Sequence, residues 1–282
     1  MRQYRPLMLI PLTLLLAACA DSGEDQVAQA LDQINVIDET NLNDIMLTVG
    51  DPNEAVTYFA NASAQAPDRI DLKRGLATSL VRAGRAAESI VTWQEVVAHP
   101  EATDADKVDL ADTLIRANQW DAAAQVLASI PPTYETFKRY RLEAMIADSR
   151  QQWERADSFY ETAVGLTTQP AGVYNNWGFS KLTRGAYSEA ERLFIRAIQF
   201  NGNLYAAKNN LILARGAQRE YTLPVIPMTQ IERAQLLHSL ALTAIKQNDI
   251  AIGKSLLNDA INTHPQFFEE AVRALEALDG QA

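Results

Sequence analysis

Residues that tolerate tight turns recur in this chain at intervals of 34, at Gly50, Gly84 and Asn118. Each is followed by apolar residues at helical spacing. A fixed period of about 20–50 residues is typical of repeat architectures, whose units stack because no single unit can bury its own apolar face. We therefore predict a chain of stacked helix–turn–helix units.

A period of 34 is that of the tetratricopeptide repeat, in which small residues let two antiparallel helices meet closely. This grid predicts repeats at about 36–69, 70–103, 104–136, 137–170 and 171–204, a partial unit at 205–218, an insert at 219–230, a repeat at 234–267 and a cap at 266–279. The clearest repeat, 171–204, carries Tyr174, Trp177, Gly178, Gly185, Tyr187, Ala190, Phe194 and Ala197. The predicted fold is all-α, a right-handed superhelical solenoid of antiparallel helix pairs with a C-terminal capping helix. An irregular helical bundle would not explain this register.

Two proline-containing segments interrupt the grid. Pro131 and Pro132 predict an early end to the second helix of the third repeat. Pro224 and Pro227, with apolar residues between them, predict an extended segment in the insert 219–230. This insert is either a spacer or an apolar strip that lies against the solenoid or a partner.

The N-terminus has the form of a bacterial lipoprotein signal. Arg2 and Arg5 precede a short apolar run, which ends in Leu16-Ala17-Ala18-Cys19. We predict a signal peptide at 1–18, a lipidated N-terminus and tether at 19–35 with acyl chains on Cys19, and the solenoid at 36–282. An ordinary secretory signal is the alternative. Ala20, in place of the Asp that retains many lipoproteins in the inner membrane, favours the periplasmic leaflet of the outer membrane.

Composition argues against several classes of function. The net charge of −10 disfavours nucleic-acid binding, and Cys19 is the only cysteine, so an intramolecular disulfide is excluded. The three histidines, His99, His238 and His264, are far apart in the sequence, and no phosphate-binding loop, nucleophile elbow or HExxH motif is present. We therefore expect no catalytic site, no metal, no cofactor and no small-molecule substrate.

Protein binding is the favoured function, because the first helices of tetratricopeptide repeats line a concave groove. Asn175 and Asn209 occupy equivalent positions 34 residues apart and could hold the main chain of an extended peptide. Alternatively, they form hydrogen bonds between repeats. The other groove candidates are Lys138 and Arg141, which could receive an acidic group, and the apolar residues Phe179, Leu182 and Leu213.

The last third of the chain resembles a known family. The segments that carry the resemblance are Asn175–Ser180, Ala207–Leu211, Ala214–Gly216, Leu223–Pro227 and Arg233–Leu237. They are similar to the TadD-like tetratricopeptide lipoproteins of the Flp (tight adherence) pilus assembly system. The resemblance implies a non-enzymatic, membrane-anchored adaptor that assists the assembly or localisation of the pilus secretin, as pilotins do. The alternative is an envelope scaffold that recruits peptidoglycan hydrolases or proteases in outer-membrane homeostasis.

Overall fold

The computed structural model describes residues 42–279. Cys19, the predicted tether at 19–35, the start of the first repeat and residues 280–282 lie outside the described residues. The described chain consists of α-helices joined by turns and irregular segments, and it divides after Arg85 into two units. None of its helices is both long and apolar enough to cross a lipid bilayer.

The N-terminal unit contains α1 (42–48), α2 (Pro52–Gln65) and α3 (Ile70–Arg82). Asp51 caps α2, because its carboxylate accepts hydrogen bonds from the backbone N–H groups of Asn53 and Glu54. The buried ring of Phe59 lies directly on Gly75 of α3, where a Cβ would collide with it. Glycine therefore allows α2 and α3 to pack closely.

The C-terminal unit contains eleven described helices: α4 (Ala86–Ala98), α5 (Asp104–Arg116), α6 (Trp120–Ala128), α7 (Phe137–Ser149), α8 (Trp153–Gly165), α9 (Ala171–Thr183), α10 (Tyr187–Phe200), α11 (Tyr205–Ala217), α12 (Gln230–Lys246), α13 (Ile250–Thr263) and α14 (Glu269–Asp279). Within it, α5 packs on α6, α7 on α8, α9 on α10, and α12 on α13. Short turns make the two helices of each of these pairs antiparallel.

A left-handed residue ends the first helix at six turns of the described chain, with φ between 56° and 81°. These residues are Gly84, Asn118, Gln151, Gly185, Arg219 and Asn248. The next residue donates its N–H to the carbonyl five residues back, as from Gln119 to Leu114 (2.8 Å), which closes a Schellman motif. Gln151 and Arg219 are unusual residues for this geometry. Gly50 lies in a turn but has no positive φ.

The core of the clearest pair depends on one glycine–aromatic contact. Phe194 of α10 is fully buried, and a Cβ at Gly178 of α9 would lie 2.6 Å from its Cε1 atom. Ala190, Ala197 and Leu211 complete the buried cluster around the ring. The two helices can therefore approach each other only because position 178 has no side chain.

Helix α6 is the shortest described helix of the C-terminal unit. It has 9 residues and ends at Ala128, with Ser129 as its C-cap, ahead of Pro131 and Pro132. Arg139 of α7 binds the chain that follows, because its guanidinium donates to the carbonyl oxygens of Pro131 (2.7 Å) and Tyr134 (3.0 Å). This contact holds the segment between α6 and α7 in place.

The proline-containing segment after α11 lies against the helices. Tyr221, Leu223 and Met228 pack on the core formed by α11, α12, α13 and α14, and Ile226 packs on the core of α10 and α11. Val225 points away from both and is fully exposed. The segment thus covers apolar surface that a second helix would cover in a complete repeat.

Helix α12 begins one turn before the repeat grid places its unit, at Gln230 rather than 234. The cause is a capping box: the Glu232 N–H donates to the Thr229 hydroxyl (3.1 Å), and the Thr229 N–H donates to the Glu232 carboxylate (2.8 Å). At the other end, α14 places Ala271, Leu275 and Leu278 on the core of α12 and α13. It begins at Glu269, three residues after the start of the predicted cap.

Candidate functional site

A pocket of about 360 Å³ opens on one face of α7, α9 and α11, beside the first residues of α6 and α8. Four apolar side chains form much of its wall: Trp120, Met145, Trp153 and Phe179. Phe179 is 51% exposed, although α9 has the buried residues Gly178 and Ser180 on either side of it. We call this concavity the groove pocket.

A half-buried carboxylate lies at the polar side of the groove pocket. Asp148 of α7 accepts hydrogen bonds from the hydroxyl groups of Ser180 (2.6 Å) and Tyr160 (2.8 Å). Burial raises the pKa of Asp148 above the ordinary carboxyl value, against the two hydrogen bonds and Arg184, which act to lower it. Burial also raises the pKa of Tyr160, which therefore remains a hydrogen-bond donor at physiological pH.

Replacing Asp148 by asparagine is expected to change how stability depends on pH. Because the folded-state pKa of Asp148 is raised, its contribution is fully present below the ordinary carboxyl pKa and is lost as pH rises through the raised value. The stability of the native chain relative to Asp148→Asn should therefore be greatest in acid and decline toward neutral pH. Thermal unfolding of both chains from acid to neutral pH measures the effect. A stability advantage of the native chain that grows with pH would contradict it.

A second carboxylate holds tryptophan side chains of α8 and α9 in place through hydrogen-bonded partners. Asp157 of α8 accepts hydrogen bonds from Trp177 Nε1 (2.6 Å), Lys181 (3.0 Å) and Arg184. Burial acts to raise the pKa of Asp157, but these donors hold it below the usual range. The guanidinium of Arg184 in turn lies 5.5 Å from the ring centre of Trp153. The pocket wall is thus tied to α8 and α9 by charge-assisted bonds.

The asparagines of this region bond to neighbouring helices. Asn210 Nδ2 donates to Asn175 Oδ1 (3.0 Å), and Ser239 donates to Asn209 Oδ1 (2.8 Å). Asn176 Nδ2 lies 3.3 Å from the sulfur of Met145. Asn175, Asn176 and Asn210 also line the groove pocket. The carboxamide oxygens of Asn175 and Asn209 therefore serve inter-helix bonds, and Asn175 does so at the pocket surface.

The structure brings only two of the seven groove candidates, Asn175 and Phe179, into this pocket. Lys138 forms an ion pair with Asp109, and Arg141 lies 3.7 Å from Asp112, so both cations are matched by carboxylates of α5. The remaining three lie elsewhere: Leu182 packs on the α10–α11 core, Asn209 bonds to α12, and Leu213 is half-buried.

Sequence reasoning did not identify the residues that give the groove pocket its character, which are Trp120, Met145, Asp148, Trp153, Tyr160 and Ser180. A signal was present for the two tryptophans. Each stands two residues after a left-handed turn residue, at Asn118 and Gln151, and begins a second helix. No comparable signal marks Asp148, because its role depends on hydroxyl groups from α8 and α9.

No family model matches the sequence, and no curated protein sequence matches it. Solved structures do match in fold. The Cut9–Hcn1 hetero-tetramer of the APC/C aligns over 84% of this chain and 48% of its own, at 11% identity and a TM-score of 0.61. The human IFIT1 dimer with PPP-AAAA aligns over 82% and 60%, at 13% identity and a TM-score of 0.57. This chain therefore spans about half the length of these matches.

A tetratricopeptide repeat protein from Parabacteroides merdae matches over nearly its whole length. It aligns over 90% of this chain and 98% of its own, at 12% identity and a TM-score of 0.54. The fold is a tetratricopeptide-repeat solenoid. The predicted all-α solenoid class is thus confirmed, while identities this low say nothing specific about partners. Within residues 42–279, no group of three or more His, Cys, Asp and Glu side chains could hold a metal ion.

Proposed function

We propose that this tetratricopeptide protein is a membrane-anchored adaptor that holds a segment of a protein partner in the groove pocket. The observation that carries the proposal is the pocket itself: an apolar wall with exposed Phe179, beside asparagine side chains of the two first helices α9 and α11. Such a site can bury one large apolar side chain and hydrogen-bond the main chain next to it.

The energetics suit a modest, specific interaction. Full burial of one aromatic or large aliphatic side chain contributes about 1.5–3 kcal/mol, and a tethered adaptor needs little more. Acyl chains on Cys19 would hold the protein at the membrane and raise the local concentration of partner segments there. We assign the partner to the secretin or another component of an Flp pilus system, on the resemblance of residues 175–237.

A photoreactive residue at position 179 tests the proposal in living cells. Phe179 is the suitable position because it is half-exposed inside the groove pocket, whereas Asn209 is half-buried and bonded to Ser239. The control probe replaces Val91 of α4, which is 56% exposed and lies outside the pocket. We expect a pilus component crosslinked from position 179 alone.

Other results from the same experiment point elsewhere. Capture of a peptidoglycan hydrolase or protease from position 179 would replace the pilus assignment by the envelope-scaffold function. Equal labelling from positions 179 and 91 would contradict the groove as the binding surface.

Replacing Phe179 by aspartate is expected to weaken partner capture by at least about tenfold, because it removes apolar contact area and places a charge in an apolar pocket. Co-purification with the crosslinked partner measures the loss. Val91→Asp adds the same charge at a similarly exposed position and should leave capture unchanged. If both variants reduced capture alike, the added negative charge would be the cause, whatever its position, and not its placement in the pocket.

A further inference from the structure

After residue 160, four segments of nine or more residues that include a helix terminus carry no Asp, Glu, Lys or Arg, although such residues make up 21% of the chain. They are 162–180, 197–207, 221–231 and 260–268. Each one contains the point where a helix ends, where the next one starts, or both. The turns at the other ends of the helices, in contrast, carry Arg150, Arg184, Arg219 and Asp249.

Contacts place the ends of these segments side by side. Tyr174 at the start of α9 stacks on Phe200 at the end of α10, with ring centres 5.8 Å apart. Pro227 packs near Gly202, where a Cβ would lie 3.8 Å from it. Gln230 Nε2, at the start of α12, donates to the carbonyl oxygen of Thr263 at the end of α13 (2.8 Å). The four segments therefore meet along one edge, which we call the neutral edge.

Large apolar side chains protrude from the neutral edge. They are Leu166 (41% exposed), Phe200 (52%), Tyr205 (36%), Val225 (106%), Ile231 (47%) and Phe267 (76%). The charged residues that flank these segments in the sequence are largely paired with each other or lie at one end of the edge. Lys208 is buried against Glu232, whereas Glu269 and Glu270 follow Phe267 at the start of α14. Several large, exposed apolar side chains along one edge indicate an interaction site.

We propose that the neutral edge lies on a lipid bilayer, with these apolar side chains in the headgroup region. Aromatic and aliphatic side chains gain free energy there, and tyrosine can keep its hydroxyl in water. The distribution of charge favours a bilayer over a protein surface as the partner of this edge. A chain of net charge −10 is repelled by anionic lipids unless it approaches with a face that lacks carboxylates, and the neutral edge is such a face. Exposed Arg196 lies beside this edge, 5.9 Å from the ring centre of Tyr174, and its charge is of the sign that anionic lipids attract.

The lipoprotein signal at Leu16–Cys19 is consistent with this orientation, but the inference stands on the edge alone. Segment 162–180 includes Phe179 of the groove pocket, but none of the six protruding side chains that would enter the bilayer lines that pocket. Failure of one proposal therefore leaves the other intact. With this edge on the bilayer, the turns that carry Arg219 and Asn248 would face away from it.

The test is a depth measurement on the full chain bound to vesicles of phosphatidylethanolamine and phosphatidylglycerol. Single substitutions Val225→Cys and Phe267→Cys place a polarity-sensitive fluorophore on the neutral edge. Ile252→Cys is the matched control, because Ile252 is an apolar residue of 42% exposure near the opposite end of α13. The chain with no added cysteine reports any labelling of Cys19.

We expect spin-labelled lipid to quench both edge probes and not the probe at 252. Adding Phe267→Asp to the Val225→Cys chain should weaken lipid contact by about tenfold or more, while Ile252→Asp leaves it unchanged. Edge probes quenched no more than the control would overturn the proposal. Edge probes shielded in whole envelopes but not quenched by lipid would also overturn it and assign the edge to a protein.

Discussion

Replacing Phe194 by alanine is expected to lower the free energy of unfolding by about 3–5 kcal/mol, the usual cost of removing a buried phenyl ring. Phe194 is fully buried among Ala190, Ala197 and Leu211, and its ring lies on Gly178 of α9. Alanines and a glycine cannot move inward to fill the space that the ring leaves. The cavity term should therefore add to the lost transfer free energy.

Denaturant unfolding and hydrogen exchange measure this loss together, because repeats can unfold singly and a bulk transition then misses a local effect. Exchange protection should fall first in α9, α10 and α11. The matched control is Phe200→Ala on the same helix, where the ring is 52% exposed and stacks on Tyr174. It should cost about 1 kcal/mol. Equal losses from the two substitutions would contradict the assignment of Phe194 to the core.

Replacing Glu232 by alanine should also be strongly destabilising, by about 3 kcal/mol, because it leaves Lys208 buried without its counter-ion. Lys208 is only 2% exposed, and its Nζ lies 2.9 Å and 3.0 Å from the two Glu232 oxygens. The same substitution removes the acceptor for the Thr229 N–H and so breaks the capping box of α12. Chemical denaturation measures the loss.

A second substitution separates the buried charge from the cap. Lys208→Met removes the charge and fills similar volume, so Lys208→Met combined with Glu232→Ala should be more stable than Glu232→Ala alone. If the double variant were no more stable, the unpaired lysine would not be the cause. The pair should also act through pH. The backbone of Thr229 and the Lys208 side chain hold the pKa of Glu232 below its usual value. Its stabilisation is therefore present above the ordinary carboxyl pKa and is lost as pH falls through the lowered one.

The ion pair and the proline-containing segment together explain how the chain passes an interruption in its repeats. Pro224 and Pro227 prevent a helix where the grid expects one, and the apolar segment covers the exposed core instead. Lys208 then joins α11 to the start of α12, so the two helices run side by side in parallel. The same detour brings Val225 to the neutral edge. A break in the pattern thus creates surface that a regular repeat would not offer.

Periodicity alone determined the class of fold. Turn residues every 34 positions, such as Gly84 and Asn118, indicate a repeated helix–turn–helix unit, and one unit cannot bury its apolar face without neighbours. The prolines likewise predicted where helices are interrupted, because a proline removes a backbone donor whatever surrounds it. These are local constraints, which any window of the sequence displays.

The groove pocket and the neutral edge were decided by tertiary structure. Asn175 and Asn209 occupy equivalent positions in the repeat, yet only Asn175 lines the pocket. Asn209 instead accepts a hydrogen bond from Ser239 of α12, the helix that follows the insert. Asp148 gains its role from hydroxyl groups 12 and 32 residues further along the chain. Side-chain partners at such separations depend on how helices pack. Spacing along the sequence can therefore predict the scaffold, but the packed helices choose which of its residues form a site.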